Sequence, residues 1–133
     1  MKTGSIRKLP QGSDFEIVRI VTNPFEEPLD KGWFAIKKDI MDSDDLAVIN
    51  VEITDEETDN GYIVQLEDGR FLFHFNLSHD ATRKLYSKFY VYGIIVGTET
   101  KKFMVEKGNV VVKNTILAFS ETETPPPGEG EGS

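Results

Sequence analysis

The sequence contains no cysteine, which excludes thiol catalysis, disulfides, iron–sulfur clusters and cysteine-ligated zinc. Basic residues are also in short supply, because 15 Lys and Arg stand against 23 Asp and Glu and give a formal net charge of −8. A sequence-independent grip on DNA or RNA needs a basic footprint that displaces counterions. We therefore expect no nucleic acid among the partners of this protein.

Long hydrophobic runs are missing as well. Nothing resembles a transmembrane span, and the first residues carry Lys2, Arg7 and Lys8 without the apolar stretch of a secretory leader behind them. We expect no membrane partner and synthesis in a cytoplasm. The 133 residues suffice for one domain with an ordinary hydrophobic core.

No motif that would identify a reaction is present. The chain has neither a G-x-S-x-G elbow for a nucleophilic serine nor a glycine-rich phosphate cradle. His74 and His79 invite a metal or acid–base site, but alternation directs His74 outward from a strand, whereas His79 belongs to the next turn. A hydrolase would need these histidines, or two carboxylates, to converge in one pocket. We predict no enzymatic activity and no catalytic, cofactor-binding or metal-binding residue.

Two acidic stretches lie between the predicted strands. The first contains Asp39, Asp42, Asp44 and Asp45, but apolar residues follow where a calcium loop would place its glycine and its last ligands. The second spans residues 55–61. Acidic runs between strands usually keep a loop hydrated, so we predict solvated loops at both places.

Apolar residues in the body of the chain recur with period two, which predicts strands. The clearest strand spans residues 70–78, where one face carries Phe71, Phe73, Phe75 and Leu77. Residues 46–54 repeat the alternation. Residues 88–96 are apolar on both faces, which predicts a central strand covered on both sides. Further strands are predicted at residues 14–22, 32–41, 62–65, 102–106 and 110–119.

Turn residues separate these strands. An acidic turn ending in Gly69 predicts a hairpin between two of them, and Lys107, Gly108 and Asn109 predict another turn before Val110. Ser78 can cap one short helix over residues 80–85. About eight strands and one helical turn predict an all-β fold, an antiparallel immunoglobulin-like β-sandwich, with a small barrel as the alternative.

Composition divides the chain into three regions. Residues 1–12 form a short basic arm, residues 13–119 the β-sandwich domain, and residues 120–133 a tail rich in Pro, Gly and Glu. The tail contains Pro125, Pro126 and Pro127, which favour an extended polyproline conformation. Because neither end has enough apolar surface to fold alone, we expect both to become ordered through contact with a partner.

Aromatic residues offer a possible platform for a sugar or a peptide. The period-two placement of Tyr90 and Tyr92 favours burial in the core instead. Trp33 differs, because it alternates with Ala35 and Lys37 rather than with its apolar neighbour Phe34. We predict that Trp33 faces outward toward a partner.

In its order of motifs the body resembles a family of small β-sandwich modules of tailed-phage particles, known as the amino-terminal domain of upper baseplate proteins and from head-fibre proteins. The resemblance covers most of residues 12–115. The motifs that carry it are Gly12, Ser13, Asp14 and Phe15; Pro28, Leu29 and Asp30 with Phe34, Ile36 and Lys37; Phe73, Phe75 and Leu77 with Thr82 and Leu85; Tyr90, Val91, Tyr92, Gly93 and Ile94; and Phe103, Val105, Glu106, Lys107, Gly108, Val110 and Val112.

The resemblance implies a non-enzymatic virion structural protein, an auxiliary or adaptor subunit that docks on the head or on the tail and baseplate. Its partners would be other capsid or tail subunits in a homo- or hetero-oligomeric particle, and it would be found in the virion after synthesis in the host cytoplasm. The residues predicted to contact partners are Trp33, Arg7, Lys8, Pro125, Pro126 and Pro127. The alternative function is a carbohydrate- or peptide-binding β-sandwich module that uses Trp33.

Overall fold

The computed structural model describes residues 2–39, 41 and 46–113. In these residues there are eight strands and one helix. In chain order they are β1 (Lys2–Pro10), β2 (Phe15–Thr22), β3 (Lys31–Lys37), β4 (Ile49–Thr54), β5 (Gly61–Gln65), β6 (Arg70–Leu77), α1 (His79–Thr82), β7 (Phe89–Gly97) and β8 (Lys102–Lys113). No helix in the described part of the chain is long and apolar enough to cross a membrane.

The strands form two sheets. The larger has the order β1-β8-β7-β3-β4 and the smaller the order β2-β6-β5. Their inner faces pack together around a core that draws aromatic and aliphatic side chains from both, with Phe34, Phe73, Phe75 and Ile94 fully buried. The predicted all-β sandwich is confirmed. One strand pair departs from the antiparallel pattern, because β1 pairs in parallel with β8.

Period-two alternation identified the inner faces correctly in the regular strands. The apolar residues of β6 that were predicted to share a face are all buried. In β7, Tyr90 and Tyr92 point into the core as expected. The prediction that β7 is covered on both faces is wrong, since Val91 and Ile95 are half-exposed and Phe89 is exposed. Within the described residues no layer covers the outer face of the larger sheet.

The amino-terminal segment corrects one prediction. Most of the predicted arm forms β1, which is paired with β8 along its length and buries Ile6 and Leu9 in the core. Two inward residues three positions apart do not fit a regular strand. A bulge between them shifts the register, and Lys8 adopts a left-handed conformation with φ 60°. The bulge turns Leu9 back toward the core. Counting every second residue from Ile6 does not predict this direction.

The last described strand, β8, corrects another prediction. Residues 107–109, predicted as a turn, lie inside the continuous strand β8. Gly108 faces the backbone carbonyl of Gly4, and a Cβ at this position would collide with it. The glycine therefore permits close approach of β1 to β8 rather than a reversal of the chain.

The predicted hairpin and the predicted helix cap are both observed. The hairpin between β5 and β6 is confirmed, with positive φ at both Asp68 and Gly69. Ser78 caps α1 by accepting a hydrogen bond from the Ala81 amide, although the helix ends at Thr82. Asp42, Asp44 and Asp45, and every residue from 114 onward, lie outside the described residues, so the predicted tail boundary stays a prediction.

Candidate binding groove on the larger sheet

A groove of about 560 Å³ lies on the outer face of the larger sheet. Four strands supply its side chains, which point away from the core. The apolar lining comes from Trp33, Ala35, Val91, Gly93, Ile95 and Met104, and the polar lining from Lys37, Asn50, Glu52, Lys102 and Lys107. An apolar trough with a few polar groups on its rim is typical of ligand sites.

Two small residues form the floor of this groove. Ala35 on β3 lies opposite Gly93 on β7, so the centre of the sheet carries almost no side-chain bulk. A Cβ on Gly93 would come no closer than 3.7 Å to Met104 Cε and 3.9 Å to the Glu106 carbonyl oxygen. Packing within the chain therefore does not require glycine here. Glycine in a strand interior destabilises a protein by about 0.5–1 kcal/mol relative to alanine. What Gly93 provides in return is the open floor of the groove.

Trp33 stands at one end of the floor. It lies on the outer face between Glu52 of β4 and Ile95 of β7, as the register of both strand pairs shows. The Nζ atom of Lys102 lies 4.4 Å from the centroid of the Trp33 ring, in a cation–π contact. The ring is thus half-buried and held in place. The outward orientation predicted from the sequence is observed, whereas the binding role of Trp33 stays a prediction.

The other predicted partner-binding residues do not join the groove. Arg7 and Lys8 lie exposed on β1, the edge strand beyond β8, and neither lines the groove. Pro125, Pro126 and Pro127 lie outside the described residues. The sequence analysis also missed Ala35 and Gly93 as floor residues, because small outward-facing residues in a strand carry no polar or aromatic signal.

A buried charged group lies directly behind this floor. Glu106 of β8 points into the core with 1% of its surface exposed. Its carboxylate accepts hydrogen bonds from Arg19 of β2, with Nε–Oε1 at 2.9 Å and Nη2–Oε2 at 3.1 Å, and from the Tyr92 hydroxyl. The group joins the two sheets. The strict alternation after Phe103 would direct Glu106 outward, but a bulge opposite Ile94 and Ile95 turns it inward.

The pKa values of this group reflect its burial and its partners. Burial raises the pKa of Glu106, but hydrogen bonds from Arg19 and Tyr92 outweigh it and hold the pKa below its usual value. Burial, together with the neighbouring Glu106 carboxylate, raises the pKa of Tyr92 to about 12. The three side chains therefore form a satisfied ionic network at neutral pH, with Glu106 ionised and Tyr92 protonated. Because the three side chains are hydrogen-bonded to one another, we infer that this network stabilises the fold.

The two histidines have separate surroundings. His74 stacks on Tyr62 with ring centroids 4.7 Å apart, and its Nε2 atom lies 3.0 Å from the Asn76 Oδ1 atom. His79 contacts Asp14 through Nδ1 at 3.0 Å. In the described part of the chain, no three His, Asp or Glu residues are grouped so that they could hold a metal ion. The convergence that a hydrolase would require at the histidines is not observed there.

A second exposed surface lies on the outer face of the smaller sheet. Val18 and Ile20 of β2 and Val64 of β5 are 42%, 56% and 41% exposed. The register places them around Leu72 and next to the Tyr62–His74 stack. The exposed side chains at its centre are aliphatic, so this face differs from the groove in its chemistry.

Comparisons with known proteins add little to this geometry. No family model matches the chain, and no curated protein matches it. Among solved structures it is similar to ACE19, the collagen-binding subdomain of the Enterococcus faecalis surface protein ACE, with 17% sequence identity over 80% of each chain and a TM-score of 0.27. A likeness this weak carries no argument about ligand or site. The assignment of the β-sandwich rests on the two packed sheets themselves.

Proposed function

We propose that this protein is a non-enzymatic binding module that holds a carbohydrate in the groove of its larger sheet. The observation that carries the proposal is the floor made by Ala35 and Gly93, which leaves a trough beside Trp33 that the chain's own packing does not need. A volume of about 560 Å³ falls within the range of roughly 300–1,000 Å³ that is usual for small-molecule sites.

The chemistry of the groove suits a sugar. A sugar ring has an apolar C–H face, which packs on aromatic and aliphatic side chains, and a rim of hydroxyl groups, which need polar partners. Trp33, Val91 and Ile95 supply the first surface, and Asn50 and Glu52 supply hydrogen-bonding groups at the edge.

An extended peptide added as a new strand is the less suitable ligand. Strand addition needs an unpaired sheet edge. The strands β3 and β7, which carry the floor, are each hydrogen-bonded to neighbours on both sides. A ligand over this floor is therefore recognised by side chains alone, as a saccharide can be.

The test is a glycan array probed with the full chain, followed by calorimetry on the saccharides that bind. Trp33→Ala should weaken binding about tenfold or more, as loss of an aromatic anchor usually does. Gly93→Val should fill the floor and abolish binding while the domain stays folded. Tyr86→Ala is the matched control, since Tyr86 is 81% exposed and lies outside the groove. Binding that survives both groove substitutions would refute the proposal.

The second candidate function is the virion subunit that the family resemblance implies. The exposed apolar face formed by Val18, Ile20 and Val64 favours it, because contiguous apolar patches often mark contacts with other proteins. In this role the smaller sheet would dock on a neighbouring capsid or tail subunit. A protein inventory of purified particles tests the idea, and absence of the chain from intact particles would exclude it.

A further inference from the structure

The groove carries the opposite charge to the protein that contains it. The whole chain has a net charge of −8, yet three lysines and one glutamate line the groove. The outward position Lys31 on β3, two residues before Trp33, continues this bias. Acidic residues are instead concentrated in loops, such as residues 55–59 and 67–68. The lining of the groove therefore carries a net positive charge, in contrast to the chain as a whole.

Two of the lysines flank the floor in different ways. Lys107 lies opposite Gly93 in the register of β7 and β8, so its side chain rises beside the open floor. It makes no salt bridge within the described residues. Lys102 lies at the other end, over the face of Trp33. Because of the bulge in β8, Lys102 and Lys107 lie opposite Gly97 and Gly93, four residues apart on β7. Four residues along a strand correspond to about 13 Å, so the two ammonium groups can meet different charges of one extended ligand.

We infer that the ligand of this groove is an acidic oligosaccharide, whose uronate carboxylates bind Lys107 and Lys102 while its rings pack between Trp33 and the Ala35–Gly93 floor. The inference rests on the proposed function and names the class of saccharide. Lysine offers a point charge with three donors, which matches a carboxylate that projects from a ring. Glu52 lies beside Trp33 on the side of the floor away from both lysines, where it can accept hydrogen bonds from hydroxyl groups.

The test compares each acidic sugar with its own neutral form. Trimers of galacturonate, glucuronate and mannuronate are titrated into the full chain by calorimetry, each beside its methyl ester, which keeps the ring and removes the charge. At least one acid should bind, about tenfold or more tighter than its ester. That affinity should fall as the salt concentration rises from 20 to 300 mM, because salt screens exposed charges.

Substitutions locate the contacts. Lys107→Gln should weaken binding of the acid about tenfold and leave binding of the ester nearly unchanged. Lys102→Gln should also weaken binding of the acid about tenfold, and because it removes the contact with the Trp33 ring, it should weaken binding of the ester by a smaller factor. Lys84→Gln is the matched control, because Lys84 is exposed, follows α1 and does not line the groove, and it should leave both affinities unchanged.

The outcomes separate the two proposals. Equal binding of acid and ester, or of neutral saccharides alone, would overturn the acidic ligand and leave the carbohydrate-binding function standing. Absence of binding to any acidic trimer at millimolar concentration also overturns the inference. Tighter binding of an acidic peptide, such as one with the sequence of residues 120–131, together with no saccharide binding, would overturn both.

Discussion

Replacing Arg19 with methionine tests how the two sheets are joined. The substitution keeps an aliphatic side chain of similar length and removes both hydrogen bonds from the guanidinium to Glu106, at 2.9 Å and 3.1 Å. The Glu106 carboxylate, 1% exposed, would then keep only the Tyr92 hydroxyl as a partner. A buried charge that loses its partner typically destabilises a protein by about 3–5 kcal/mol.

The position of the pair sets the expected value within that range. The Arg19 side chain is 29% exposed, so water can approach the vacated site and partly solvate the carboxylate. We therefore expect the free energy of unfolding at pH 7 to fall by about 3 kcal/mol, which corresponds to a melting temperature lower by about 10 °C for a domain of this size. Urea denaturation followed by Trp33 fluorescence measures the first quantity, and calorimetry measures the second.

The pH dependence distinguishes a buried charge from lost packing. In the native chain the pKa of Glu106 lies below its usual value of 4.5, so its contribution is present above that value and disappears as the pH falls through the lowered pKa. In Arg19→Met, burial acts without the guanidinium and raises the pKa of Glu106 above its usual value. The folded variant then takes up a proton before the unfolded chain does, and the stability gap between the two proteins narrows from pH 7 toward pH 4.

A second substitution completes the experiment. In Arg19→Met combined with Glu106→Gln no charge is left buried, so we expect the double variant to regain part of the lost stability. Two results together would refute the argument that the pair neutralises a buried charge. One is a decrease in the free energy of unfolding below about 1 kcal/mol for Arg19→Met, and the other is the same difference in stability between native chain and variant at pH 5 and pH 7.

Three further predictions concern β1 and the start of α1. Gly108→Ala should separate β1 from β8, because the new Cβ collides with the Gly4 carbonyl, and faster amide exchange confined to β1 would confirm it, whereas unchanged exchange would contradict it. Leu9→Ala should lower the free energy of unfolding by about 2–5 kcal/mol, since this side chain is fully buried; a loss below 1 kcal/mol in urea would mean that β1 is not part of the core. Hydrogen bonds from His79 hold the pKa of Asp14 below its usual 3.8, so an NMR titration should find a low midpoint that returns toward 3.8 in His79→Gln, and an unmoved midpoint would exclude this cause.

Alternation predicts structure well where a strand is regular and poorly where it is interrupted. In β6 every second residue is buried, and the sequence alone identified this face. In β1 and β8 a bulge changes the phase, so Leu9 and Glu106 point opposite to the direction that counting predicts. A bulge depends on contacts with the neighbouring strand, and these are not encoded in the residues around it.

The same limit applies to the groove. The outward direction of Trp33 follows from its alternation with Phe34, which is a local property of one strand. The groove itself depends on Ala35 and Gly93 lying opposite each other on strands far apart in sequence. Only the register between β3 and β7 brings the two small residues together, and register is set by the whole sandwich.

The parallel pairing of β1 with β8 has a consequence for how the chain folds. Lys2 lies beside Glu106, so the first and last strands of the described chain are neighbours. A newly made chain cannot close this edge until β8 has left the ribosome. Contacts between such distant residues form slowly, because a long loop must close first. We expect β1 to dock last, on a sandwich whose other strands have already assembled.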